Sequence, residues 1–308
     1  MKTLIIYFSQ TGNTLKMAEC IREGIVEAAG QCDLKALGEV EAGSLEGYDL
    51  IGLGTPVFYF QEPFNVRDFL KALPDQKARH WFLFGTHGSM WGTMFLSMAE
   101  ILNGKGAEVV GYHHMYADAS LQFYPYPFVT SGHPDEKERA ETRAFGREIP
   151  GTSRRIAAGE RALIPEPVSC PDLWKWVAQG FSREQLSRML PPLQVDLERC
   201  TRCGLCQEIC PVQGIDIEAE PRRIQDPCVY CTYCITVCPT CAIGGDIIDL
   251  MAALAPEFAK HYIRNLEIAE AEGKFEWKID PASIDFSDSL FRQRERKIRE
   301  RKTKASRD

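Results

Sequence analysis

Long apolar runs are scarce in this sequence of 308 residues. No stretch approaches the ~20 apolar residues that a membrane-spanning helix needs. The first apolar run, Leu4-Ile5-Ile6-Tyr7-Phe8, is too short for the core of a secretory signal, and polar, Gly-containing residues follow it directly. A cytoplasmic chain in a reducing compartment is therefore expected. A general basic excess is also missing. Lys and Arg number 36 against 43 Asp and Glu, a net charge of −7, which argues against general nucleic-acid binding. The N-terminal glycine loop has no Lys or Arg and no Gly-Lys-Ser/Thr ending, so it is not an NTPase phosphate loop. No Gly-x-Gly-x-x-Gly follows the first apolar run, which removes the usual dinucleotide fingerprint. The length suffices for two domains with separate cores, and the 44% hydrophobic and 26% charged content is ordinary for a globular chain.

Cysteine, by contrast, is plentiful, with 12 residues, most of them in one segment. Cys200-x-x-Cys203-x-x-Cys206-x-x-x-Cys210-Pro211 recurs as Cys228-x-x-Cys231-x-x-Cys234-x-x-x-Cys238-Pro239, each residue displaced by 28 positions. An internal duplication predicts two sites. The spacing is the bacterial pattern for cubane iron–sulfur clusters. In it, three thiolates of one loop serve one cluster and the fourth cysteine serves the other. That assigns Cys200, Cys203, Cys206 and Cys238 to one [4Fe–4S] cluster, and Cys228, Cys231, Cys234 and Cys210 to the second. Structural zinc would need neither the third Cys-x-x-Cys step nor the prolines. A disulfide framework does not suit cysteines concentrated in one segment of a long chain with no mark of secretion. The segment resembles a two-cluster bacterial ferredoxin from Val195 to Gly245. Cys241, where many ferredoxins have glycine, is expected near a cluster but not as a ligand. Cys20, Cys32 and Cys170 are isolated and expected to be buried or inert.

At the N-terminus, the strand-like residues 3 to 8 lead into Ser9-Gln10-Thr11-Gly12-Asn13-Thr14. Leu15, Ala18, Ile21, Ile25 and Val26 then recur at helical spacing. Strand, polar glycine loop and helix make a phosphate site, because hydroxyls, backbone N–H groups and the helix dipole all favour an anion there. A plain capped turn would use the same residues. The loop resembles the phosphate loop of flavodoxins, which bind FMN. That resemblance extends over residues 1 to 158 and implies an α/β fold, a doubly wound parallel sheet of five strands in the order 2-1-3-4-5. It places Thr55-Pro56-Val57-Phe58-Tyr59, after the strand Tyr48 to Gly54, as the first flavin-flanking loop. Gly85-Thr86-His87-Gly88, with Trp91 and Gly92, follows the strand Trp81 to Phe84 as the second. The second loop has no Tyr at its tip, so Trp91 or Met90 would stack on one ring face and Phe58 or Tyr59 on the other. His87 would donate to a flavin oxygen or move protons near the ring, or would be an ordinary surface histidine. A last strand is expected over Glu108 to Tyr112, and a closing helix over Asp135 to Ala158.

The remaining segments connect or extend these domains. Residues 115 to 134, rich in Tyr and Pro, form a long connection: a candidate substrate or partner surface, or a loop packed over the sheet edge. Residues 159 to 194 read as a helical linker in which Ser182 caps a helix and Trp174 and Trp176 pack between domains. Residues 195 to 245 are the ferredoxin-like domain, small and α+β. Residues 246 to 308 are a helical extension, with helices over Ile247 to Leu254 and Phe258 to Ala271. Its end, Phe291 to Arg307, holds nine Lys/Arg and two Glu and so leaves the rest of the chain at −14. Such a tail would bind an acidic partner or simply fray as a solvated terminus.

The whole resembles the ferredoxin–flavodoxin fusion proteins of anaerobic bacteria and archaea. It implies electron transfer between two [4Fe–4S] clusters and FMN, with a redox protein as donor or acceptor. The alternatives are a flavin-dependent reductase of a small-molecule substrate and, more remotely, a redox-sensing interaction protein.

Overall fold

The computed structural model describes residues 1–305 except 120, 221, 225–227 and 245. Gly245, the expected end of the ferredoxin-like segment, and Arg307 of the basic run lie outside the described residues. The chain forms two compact units. The first is Met1–Asp118 with Gly132–Phe181; the second is Ala119–Ser131 with Ser182–Asp308. The expected linker of residues 159 to 194 is thus divided between the two units. The backbone passes from one unit to the other three times.

The first unit is a five-stranded parallel sheet ordered β2-β1-β3-β4-β5, with β1 Thr3–Tyr7, β2 Cys32–Ala36, β3 Leu50–Pro56, β4 His80–His87 and β5 Glu108–Tyr116. Its central strands are nearly continuous apolar runs because both faces are covered. Leu4, Ile6, Ile51, Leu53, Trp81 and Leu83 face a core shared with α2 (Phe64–Ala72) and α3 (Met94–Gly104). Ile5, Leu50, Phe82 and Phe84 face the other core, shared with α1 (Asn13–Ala29) and α4 (Glu136–Ala157). Alternate residues of one strand thereby feed opposite layers. The helix α5, Asp172–Gln179, also belongs to this unit.

The second unit holds α6 (Arg183–Met189) and two short helices, α7 (Leu205–Glu208) and α8 (Tyr233–Val237). A two-stranded antiparallel ribbon, β6 Ile215–Asp216 with β7 Arg223–Ile224, lies between α7 and α8 in the chain. The 28-residue duplication is visible in the backbone. Left-handed φ angles occur at Arg202 and Tyr230, at Gly204 and Thr232, and at Gln213 and Cys241. The N–H groups of Gly214 and Ala242 donate to Cys210 Sγ and Cys238 Sγ, each at 3.2 Å.

Three expectations need correction here. Residues 121 to 131 are mostly buried rather than an open surface, with Tyr126 and Pro127 exposed. Phe128, Val129 and Thr130 are 0% exposed and Tyr124 is 3% exposed. Tyr124 stacks on Phe128 at 4.3 Å, and both pack edge-on against Tyr262. The loop is buried because the C-terminal extension supplies a core for it. The two helices expected around residue 256 are one, α9, Asp246–Ala271. Ala255 and Ala259 are buried on either side of Pro256, and this packing carries the helix through the proline. Within the described residues the basic run is helical rather than frayed, since α10 spans Leu290–Ala305. The side chain of Phe291 is buried. The N–H groups of Leu290 and Phe291 donate to the carbonyls of Tyr124 and Gln122, and Arg296 forks onto Asp288 at 2.7 and 2.6 Å.

Candidate functional site

In the first unit, three loops leave the carboxyl ends of β1, β3 and β4, where doubly wound sheets bind ligands. Gly12 caps α1 with φ of 90° and no side-chain cap, so the first N–H groups of the helix are left for another acceptor. Ser9 Oγ and Gln10 Nε2 are buried and have no hydrogen-bond partner among the described residues. Buried polar atoms are nearly always paired, and donors without acceptors at a helix N-terminus suit a phosphate. Thr11 is exposed beside them. Asn13 Nδ2 donates to the carbonyl of Asp118 at 3.2 Å, and Thr14 Oγ1 shares a 2.8 Å hydrogen bond with Thr86 Oγ1. The loop is thereby tied to the ends of β4 and β5.

The two flanking loops are joined to one another. Val57 N–H donates to Thr86 O at 3.2 Å, just past Thr55 and Pro56, which end β3. Phe58 and Gln61 exchange backbone hydrogen bonds of 2.9 and 3.0 Å around Tyr59 and Phe60, whose φ angles are 51° and 64°. This is a two-residue turn with both central residues left-handed, a geometry that usually takes Asn and Gly. Bulky residues persist there only when their surroundings hold them. Phe60 stacks on Trp174 at 5.2 Å, and Tyr59 packs on Phe181 at 5.7 Å. Thr93 N–H donates to Phe60 O at 2.7 Å. A Cβ on Gly92, which has φ of 55°, would lie 2.1 Å from that oxygen, so only glycine allows this approach. Phe58 meets Phe8 edge-on at 6.2 Å. Both candidate stacking residues of the first loop therefore have protein partners. Of the two tryptophans expected to pack, only Trp174 does; Trp176 is 72% exposed.

His87 is no surface histidine: it is 4% exposed. After Gly85 and Thr86 it ends β4, with Gly88 and the buried Ser89 next. Its Nε2 shares a 3.0 Å hydrogen bond with His114 Nδ1. Tyr116 and Trp91 pack edge-on against the ring at 4.7 and 5.5 Å. Its Nδ1 and Ser89 Oγ have no partner among the described residues. Burial, then the neighbouring His114, holds the His87 pKa well below the ordinary histidine value, so the ring is neutral. Sequence reasoning missed Phe60, Thr93, His114 and Tyr116. His113-His114 had offered a signal, since consecutive strand residues point to opposite faces.

In the second unit all eight motif cysteines line two cavities. One gathers Cys200, Cys203, Cys206 and Cys238 with Val195, Ile217 and Ile243. The other gathers Cys228, Cys231, Cys234 and Cys210 with Ile215, Ile224 and Val229. None of the twelve cysteines is in a disulfide. Burial pushes the Cys234 thiol well up, and Cys231, Cys228 and Cys210 add to it. Burial likewise raises Cys206, with Cys238 and Cys200 among the contributors. Four thiols crowded in an apolar pocket ionise readily only around a bound metal centre, so the donor set fits iron–sulfur clusters. Cys241 is buried and lines neither cavity. Its counterpart in the repeat is Gln213, at the same left-handed turn.

Comparison with known proteins agrees with both halves. Residues 5–141 match the flavodoxin family, and residues 192–239 match the 4Fe-4S dicluster domain family. A flavodoxin of Clostridium beijerinckii is 28% identical over 148 residues, covering 47% of this chain and 96% of that protein. A ferredoxin of Methanothermococcus thermolithotrophicus is 32% identical over 53 residues, covering 16% of this chain and 88% of the ferredoxin. The chain is a fusion of a flavodoxin and a ferredoxin. A solved archaeal flavodoxin aligns with the fusion at 21% identity and a TM-score of 0.40, covering 50% of the fusion and 99% of that structure. The flavodoxin domain binds FMN and the ferredoxin domain binds [4Fe–4S] clusters. Together they give the fusion an electron-transfer redox role. Among the described residues, no helix is long and apolar enough to cross a membrane.

Proposed function

We propose that the fusion passes electrons within one chain between two [4Fe–4S] clusters and one FMN, exchanging them with a separate cytoplasmic redox protein. The observation that carries this reading is the composition of the two cavities, each lined by three cysteines of one motif and the fourth of the other. When bound, the clusters supply one-electron steps and FMN one- or two-electron steps. The chain's own residues do the holding. Cys200, Cys203, Cys206 and Cys238 are the ligands of one cluster, and Cys228, Cys231, Cys234 and Cys210 those of the other. Val195, Ile217, Ile243, Ile215, Ile224 and Val229 set apolar surface beside the sulfurs, and solvent access is one of the conditions that set cluster potentials. Ser9, Gln10 and the first N–H groups of α1 hold the phosphate. Thr55 to Tyr59 and Gly85 to Gly92, laced together through Phe60 and Thr93, frame the ring.

The test is anaerobic purification with iron, sulfide and FMN counts. Eight irons and one FMN per chain are expected. Cys210→Ser should lose the cluster of Cys228, Cys231 and Cys234, while Cys241→Ser keeps both. Eight irons in Cys210→Ser, or a cluster lost in Cys241→Ser, would refute the ligand assignment.

A second reading, a flavin-dependent reductase, is favoured by the buried His87–His114 pair, in which His87 Nδ1 has no partner among the described residues and is free to relay a proton. Two-electron reduction of a small substrate needs such a proton. Turnover that survives in the parent but falls in His114→Gln, with FMN retained, would favour it.

A further inference from the structure

The basic helix α10 does more than present charge to solvent. Arg294 turns inward within the second unit. Its Nη2 donates to the carbonyl of Cys238 at 2.6 Å, and its Nη1 to the carbonyl of Ile235 at 3.0 Å and to Gln122 Oε1 at 2.7 Å. Both carbonyls lie at the C-terminal end of α8, where helix carbonyls lack partners and a cation is favoured. Cys238 lines the first cavity together with Cys200. The neighbouring Glu295 pairs with Arg199 at 2.5 Å, one residue before Cys200. Arg199 also meets Asp196 at 3.3 Å. Arg294 pairs with no carboxylate among the described residues; its guanidinium partners are the two carbonyls and the Gln122 amide oxygen.

The duplication makes this informative. Twenty-eight residues earlier, Gln207 and Cys210 stand where Ile235 and Cys238 stand. Among the described residues their carbonyls accept backbone N–H groups, from Ile209 and Cys210 and from Gln213, and no guanidinium. Of two cysteine loops that share spacing and turn geometry, one therefore carries a fixed cation on a ligand's own carbonyl, and among the described residues the other does not.

We propose that Arg294 is a positioning residue for the [4Fe–4S] cluster of Cys200, Cys203, Cys206 and Cys238, and that it holds this cluster at a higher reduction potential than its twin. Reduction adds one negative charge to a cluster. A guanidinium stays charged at every working pH, and close by in a partly buried site it stabilises the reduced form more than the oxidised one. Net charge and hydrogen bonding around the sulfurs are the levers that set such potentials. Electrons entering from a partner would then settle first on this cluster. The inference rests on the two-cluster reading above.

The experiment uses the full chain, purified anaerobically, with iron counted and both clusters followed by EPR-monitored redox titration. In Arg294→Met, the potential of one cluster should fall while that of the other stays. Arg294→Lys, which keeps the charge but not the fork, should restore part of the fall. The Cys210→Ser background, which retains only the affected cluster, should show the same fall on its single signal. If Arg294→Met instead loses four irons, recovery of those irons in Arg294→Lys with a lowered potential still supports the role. Eight irons with both potentials unmoved, or both moved equally, would overturn it. Fewer than eight irons in the parent chain would sink the two-cluster reading itself, a failure seen before any Arg294 variant is made.

Discussion

Replacing Phe128 with alanine tests whether the Tyr/Pro-rich segment is core or binding surface. Phe128 is fully buried, stacked on Tyr124 at 4.3 Å and met edge-on by Tyr262 at 5.6 Å and Phe286 at 6.3 Å. Truncating a buried Phe to Ala costs about 3–5 kcal/mol through lost transfer energy and the cavity left behind. Three aromatic neighbours put Phe128 in the upper part of that range, because each ring pair adds roughly 0.5–1.5 kcal/mol beyond area burial. For a unit of this size each kcal/mol lowers the midpoint by roughly 3 °C, so a fall of about 12 °C is expected. The assay is thermal unfolding of the anaerobic holoprotein, with visible cluster absorbance reporting the second unit and FMN fluorescence the first. The cluster-linked transition should fall and the FMN-linked transition should hold. A loss under about 1 kcal/mol would refute the reasoning. So would an unchanged cluster transition with altered turnover, which would return the segment to the role of a substrate surface.

Two further outcomes follow from individual side chains. Ser9→Ala removes a donor argued to meet the phosphate, a charge-assisted hydrogen bond of about 1.5–3 kcal/mol. FMN binding measured by fluorescence quenching should weaken roughly ten- to a hundred-fold with iron content unchanged, and equal affinity would show that Ser9 faces no ligand. His113 is pushed down to about 4 by burial and then by His114, against about 6.5 when unfolded. Its contribution to stability is present above pH 6.5 and is lost as pH falls towards 4, by no more than about 3 kcal/mol. His113→Gln should flatten that part of the profile in urea titrations, and parallel profiles for the two proteins would contradict the assignment.

Parts of this molecule were legible because their causes are local. Cysteine spacing is set by one loop, and β1, β3 and β4 are short apolar runs covered on both faces. Strand β2, an edge strand of five residues alternating buried and exposed positions, gave no such run. Strand β5 reaches Tyr116 rather than Tyr112, because His113 and His114 look like loop residues until their partners on α4 and β4 are known. The burial of Phe128 depends on Tyr262 and Phe286, more than a hundred residues away. The helix of the basic end likewise depends on Gln122 and Tyr124. The turn at Tyr59-Phe60 broke the local rule for left-handed residues, and nothing in its own sequence announces the stacking on Trp174 that holds it.

Stopped-flow reduction of the anaerobic holoprotein by a low-potential donor tests the central claim most directly. The clusters should bleach first. The FMN should then be reduced at a rate that stays constant as protein concentration is varied, because donor and acceptor belong to one chain. A flavin rate that rises in proportion to protein concentration, or a flavin left oxidised beside fully reduced clusters, would contradict the account.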